Sequence, residues 1–163
     1  MMGRALLVLG WLATVGLLAT AWLGYRVGPD GGVGNHLLMG LLSSLLILFS
    51  HSWIMFYLIG TGKAVKVAVA DHGLNPELVE HTREYKNRSY PWLMLAMGLV
   101  MTTFIIGGGV ATRVIPPWIH AMLFAVSLLV QLRTLLLEGE VLLANERLML
   151  DVNRQIAGRR EDS

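Results

Sequence analysis

The stretch His36–Gly60, HLLMGLLSSLLILFSHSWIMFYLIG, contains no Asp, Glu, Lys or Arg. About 20 apolar residues in an α-helix cross roughly 30 Å of hydrocarbon, so this stretch is long enough to span a bilayer. Three more long apolar runs accompany it, at 5–25, 91–112 and 117–137. A helix is the expected form for each, because it satisfies its own backbone hydrogen bonds where no water is available. Of the 163 residues, 55% are hydrophobic and only 15% charged, and the charges gather outside these runs. The expectation is an all-α integral membrane protein, a four-transmembrane-helix bundle forming a single membrane domain over 1–163.

Two of the runs open alike. His36-Leu-Leu-Met-Gly-Leu-Leu-Ser43 begins the second and His120-Ala-Met-Leu-Phe-Ala-Val-Ser127 the fourth. Each follows another apolar run and a short turn containing Gly or Pro. The pattern suggests two similar helical hairpins that bring a pair of imidazoles to one level of the membrane.

Basic residues set the orientation. The turns at 26–35 and 113–116 carry only Arg26 and Arg113, whereas Arg4, Lys63, Lys66, Arg83, Lys86, Arg88, Arg147, Arg154, Arg159 and Arg160 lie at the other ends. The side richer in Lys and Arg faces the cytoplasm. Both termini, the 61–90 loop and the tail 138–163 are therefore expected in the cytoplasm of a bacterial inner-membrane protein, with His36 and His120 near the outer face. Acidic residues alternate with the basic ones, so the net charge of +2 does not point to nucleic acid. Arg4 and Ala19-Thr20-Ala21 could belong to a cleaved secretory signal. The apolar run continues through Tyr25, however, and favours a retained first span.

The loop has its own grammar. Lys63–Ala70 either prolongs the second helix or lies along the membrane, and Asp71-His72-Gly73 reads as a stop. Asn75-Pro76-Glu77 reads as a start, predicting a short cytoplasmic helix from Pro76 to about Asn87, before Ser89-Tyr90-Pro91. In the tail, Leu142, Met149, Val152 and Ile156 continue a helical stripe. The fourth helix should extend into the cytoplasm and pack on the loop helix or on a partner.

At 100° per residue, His36, Gly40, Ser43, Ile47, Ser50 and His51 share a stripe, with Tyr57 at its edge, while His120, Ser127, Gln131, Thr134 and Glu138 share another. Polar groups are costly against lipid, so these faces should point inward. Gly98, Thr102 and Gly109 on the third span, and Ala13, Gly16, Thr20 and Gly24 on the first, permit close helix approach. Arg133 lies off the polar stripe and is expected to snorkel.

Neutral imidazole is a good axial ligand for haem iron, and two on different helices can clamp a macrocycle. Gly40, one turn below His36, and Gly108 within Gly107–Gly109 would make room for the ring. The arrangement resembles small cytochromes b of two helical hairpins in general design. The resemblance implies haem b with His36 and His120 as axial ligands, and it is one of architecture. The same histidines could instead serve a plain interfacial role, or hold copper with help from Met39 and Met122. Deeper, His51 with Ser50, Tyr57, Gln131 and Glu138 could bind a quinone headgroup or carry protons, or simply fasten helix two to helix four.

Other chemistry is excluded or weak. Without cysteine there are no disulfides, thiolate nucleophiles, iron–sulfur clusters or covalently attached c-type haem. Glu77, His81 and Glu84 lack the Glu-x-x-His pairing of a di-iron site and read as a solvated face. Gly60-Thr61-Gly62-Lys63 is not a phosphate loop, and hydrolase motifs are missing. Two function classes compete. One is a b-type haem-binding electron-transfer or respiratory accessory subunit, not an enzyme on its own. The other is a non-catalytic scaffold or assembly subunit that meets a protein partner, or a second copy, through the 61–90 loop and C-terminal helix.

Overall fold

The computed structural model describes residues 2–27 and 32–161, with side chains through Arg159. The turn residues 28–31 lie outside the described residues. Four helices follow in order: α1 (Met2–Tyr25), α2 (Val33–His72), α3 (Glu77–Ala111) and α4 (Pro117–Glu161). There is no strand among the described residues, and all four helices are long and apolar enough to cross a membrane. Consecutive helices pack side by side, α4 closes on α1, and α2 also meets α4 across the middle.

Helices two to four overrun the lengths a bilayer requires. The second does not stop near Gly60 but continues to His72 and ends at the expected stop, where Gly73 takes φ 62° and its N–H bonds the Val69 carbonyl. A left-handed residue at this place suits glycine. After a tight turn, the Glu77 N–H donates to Asn75 Oδ1 at 3.0 Å, as the capping signal requires.

The separate loop helix over 76–87 is a correction. Instead, α3 runs unbroken from Glu77 through Pro91 to Ala111. Pro91 removes one N–H from the helix and leaves the Asn87 carbonyl without its usual partner. Asn87 is exposed, so water can take up that carbonyl. Around the proline, the Ser89 hydroxyl donates to the Tyr85 carbonyl at 2.7 Å and the Tyr90 hydroxyl to the Met55 carbonyl on α2 at 2.9 Å. Those bonds hold the helix in register past the break that proline signals.

Because α2, α3 and α4 all continue beyond α1, they form a three-helix extension around Val65, Leu74, Leu78, Leu148 and Val152. The tail thus packs on the chain's own helices. Arg4 near the start of α1 faces Glu146 at 3.8 Å, and Arg88 pairs with Glu140, which puts a charged belt where the extension begins. On the other side of that belt the distribution is inside-out. Phe56, Ile105 and Leu129 are 65–68% exposed on the outer surface, while Ser43, Ser50, His51, Gln131 and Glu138 are buried. Hydrocarbon selects this arrangement because apolar side chains cost nothing there and polar ones do. Arg133 lies on the outside over the Trp92 ring.

Candidate functional site

At the end of the bundle formed by the two hairpin turns, His36 on α2 and His120 on α4 face each other. Their ring centres are 6.2 Å apart and their planes cross at 88°. His36 Nδ1 lies 2.9 Å from the Thr20 carbonyl oxygen of α1. A carbonyl only accepts, so Nδ1 carries the proton, and Nε2 of the neutral ring keeps its lone pair for a ligand. His120 Nδ1 is buried beside the Thr103 backbone of α3, without a hydrogen bond of good geometry.

The two halves match in more than their histidines. A Cβ on Gly24 would lie 2.7 Å from His36 Cε1, and one on Gly107 would lie 3.0 Å from His120 Cε1. Each ring rests against a glycine of the preceding helix. One turn deeper, Thr20 Oγ1 approaches Ser43 Oγ at 3.5 Å, and Thr103 Oγ1 approaches Ser127 Oγ at 2.7 Å. Thr20 and Thr103 therefore each sit four residues before their glycine, and Ser43 and Ser127 each seven after their histidine. Helical spacing in the sequence points to the His and Ser members and to Gly40, but not to Gly107, Thr103 or the pairing of Thr20 with His36. A partial signal exists for these: with His36 laid on His120 and a one-residue gap allowed in the turn, Thr-x-x-x-Gly of the first run falls on Thr-x-x-x-Gly of the third. Gly108, expected to make room for a ring, would carry a Cβ with nothing within 4 Å of it and does not line the cleft.

Beside the rings is a cleft of about 660 Å³ running from the turns down to Ser127, with Gly40, Phe104, Gly107 and Phe124 among its walls. Its size is typical of small-molecule and cofactor sites. A bond from imidazole nitrogen to a first-row metal such as zinc is about 2.0 Å, and a ring centre lies about 1 Å behind its nitrogen, so two such bonds in line put the centres roughly 6 Å apart. The separation of the ring centres, 6.2 Å, is close to that length. No group of three or more His, Cys, Asp or Glu residues able to hold a metal occurs among the described residues. Two imidazoles therefore suit a metal that brings its own equatorial donors. A structural zinc site takes four protein ligands instead. Met39 and Met122 are not among the residues lining the cleft, and Met122 is 62% exposed, so the thioethers are not placed to complete a copper site there.

His51, Gln131 and Glu138 come together as a second constellation, deep between α2 and α4. His51 Nε2 is 2.9 Å from Gln131 Oε1, and Nδ1 is 2.6 Å from Glu138 Oε1. The direction of the chain of bonds is fixed from its far end. The Thr14 hydroxyl donates to the Gly10 carbonyl at 2.9 Å, so its oxygen accepts from the Gln131 amide at 3.2 Å. Gln131 Oε1 then accepts from His51 Nε2–H. The remaining short contact sets His51 Nδ1 against Glu138 Oε1 between two fully buried groups, without hydrogen-bond geometry. Ser50 instead donates to the Leu6 carbonyl at 3.4 Å, and Tyr57 packs in the apolar cluster with Leu6 and Leu142. None of these five residues lines the cleft beside the paired histidines.

Comparison with protein-family models, with curated proteins and with solved structures gave no match to this chain.

Proposed function

We propose that this chain is a small polytopic inner-membrane protein that binds b-type haem between His36 and His120 and serves as an electron-transfer or respiratory accessory subunit. The observation that carries this is the opposed imidazole pair, 6.2 Å between ring centres, beside a cleft large enough for a flat cofactor. The macrocycle would supply four equatorial nitrogens and the protein two axial ones. The Thr20 carbonyl, by fixing the His36 tautomer, would aim Nε2 at the iron. The matched Thr, Gly, His and Ser positions support a construction from two similar hairpins, each contributing one axial ligand. The skew of Lys and Arg supports an orientation with both termini in the cytoplasm and the pair near the outer face.

The test is a reduced-minus-oxidised visible spectrum of detergent-purified protein produced with haem supplied, beside a His36→Ala/His120→Ala double variant. A sharp α-band of low-spin bis-imidazole haem in the parent, lost in the variant, is expected. A featureless spectrum from folded parent protein would remove the haem assignment. In the scaffold alternative, the three-helix extension around Val65, Leu78 and Val152 offers a platform for a partner. That alternative leaves the opposed imidazoles and their cleft unused.

A further inference from the structure

One charged side chain, Arg113, lines the cleft among the described residues, apart from the histidines themselves. It stands in the α3–α4 turn, at the end of the cleft opposite Ser127. Its surroundings differ from those of Arg4, Arg26, Arg83 and Arg88. Arg4, Arg83 and Arg88 face carboxylates, and Arg26 stacks over Trp22 at 5.4 Å. Arg113 has no carboxylate partner among the described residues.

Its backbone adds a second observation. Arg113 is the one non-glycine residue with positive φ among the described residues, at 62°. It occupies the position just past the end of α3, where glycine is the usual occupant because a side chain is strained there. The turn itself is secured by other means. Val114 N–H and Ile115 N–H both bond the Gly109 carbonyl, and the Ile115 side chain fills the space a Cβ on Gly109 would need. Backbone conformation alone would favour glycine at 113, so the arginine stands there against a local strain.

Building on the haem assignment above, we propose that Arg113 binds the carboxylate edge of the macrocycle held between His36 and His120. The porphyrin would lie with its propionates toward the α3–α4 turn and its apolar edge toward Phe104 and Phe124. A guanidinium matches a carboxylate with two parallel N–H···O bonds. The apolar walls, the paired imidazoles and a single cation at one end together define the ligand: a flat, metal-bearing, apolar body with anionic groups on one side only. A lipid phosphate at the membrane surface offers Arg113 the same charge, and the test separates the two sources.

Apo-protein in detergent is titrated with haem (iron protoporphyrin IX) and with its dimethyl ester, which has no free carboxylate. The parent is compared with Arg113→Gln and with Arg113→Gly, the latter relieving the backbone while removing the charge. Both variants should bind haem on the order of fivefold more weakly, the effect of losing one solvent-accessible ion pair. The ester should bind parent and variants alike, the α-band should keep its position, and the haem potential should fall in the variants. Equal haem affinity in all three proteins would overturn the proposal and leave Arg113 to the lipid phosphate. Equal weakening for haem and ester would also overturn it, tracing the effect to the turn. In both cases an α-band in the parent leaves the bis-histidine assignment standing. If the parent binds neither compound, that assignment falls and this one with it.

Discussion

At the scale of single residues, the glycines beside the histidines decide whether the rings can stand where they do. Gly24 offers the sharpest case, since a methyl group there would come within 2.7 Å of His36 Cε1 and 3.0 Å of its Nδ1. The ring would have to leave the Thr20 carbonyl that fixes its tautomer. Gly24→Ala should therefore weaken haem binding by about tenfold, since an inserted methyl in a packed site costs roughly 1–3 kcal/mol. Gly108→Ala is the matched control, with open space around the new methyl. Alanine is the better helix former by about 0.5–1 kcal/mol, so that variant should bind normally and unfold no more easily than the parent. Haem titration and thermal unfolding of both variants decide the matter, and a normal Gly24→Ala protein would refute the packing argument.

At the scale of helices, α1, α2 and α4 are fastened by the buried line Glu138–His51–Gln131–Thr14. His51 and Glu138 are within 1% of complete burial, so neither can turn to water if its partner is removed. His51→Leu or Glu138→Leu alone should cost about 3–5 kcal/mol, because each leaves a polar group uncompensated. The double variant should recover most of that loss, as paired apolar replacements often do. Denaturant titration of the three proteins in mixed micelles measures this coupling. Additive losses would show that the pair does not act as a unit. This clasp is partly legible in sequence, because helical periodicity puts His51, Gln131 and Glu138 on inward stripes at similar depth. What periodicity cannot show is which atoms meet, or that Thr14 of α1 ends the line. It also misplaces the break at Pro91. A proline signals a missing hydrogen bond, but only neighbours in space, here Tyr90 against Met55, show that the helix survives it. The histidine pair is legible for a similar reason, through its repeated spacing to serine. Gly107 is hidden among three consecutive glycines, because superposing the two histidines without a gap carries Gly24 onto Gly108 instead.

For the molecule as a whole, the orientation proposed above makes a prediction that labelling can check. The hairpin turns carry few basic residues and the end with the extension carries many. Lys and Arg near the membrane ends are retained on the cytoplasmic side. On the proposed orientation, an even number of spans would put both termini there and the opposed histidines on the other side. The same orientation would set the three-helix extension in the cytoplasm, with its apolar core around Val65, Leu78, Leu148 and Val152 packed against itself. It would also place Arg113 at the outer surface. Because the chain has no cysteine, single reporters can be introduced without background labelling. Val114, 78% exposed in the α3–α4 turn, and Asn153, exposed on the extension of α4, are suitable positions. In cells whose outer barrier is permeabilised, a membrane-impermeant maleimide should label Val114→Cys before lysis and Asn153→Cys only after it. The reverse pattern would invert the topology and place the imidazole pair on the cytoplasmic side. Labelling of both before lysis would mean that α4 does not separate the turn from the extension across the bilayer, and the four-span arrangement would fail with it.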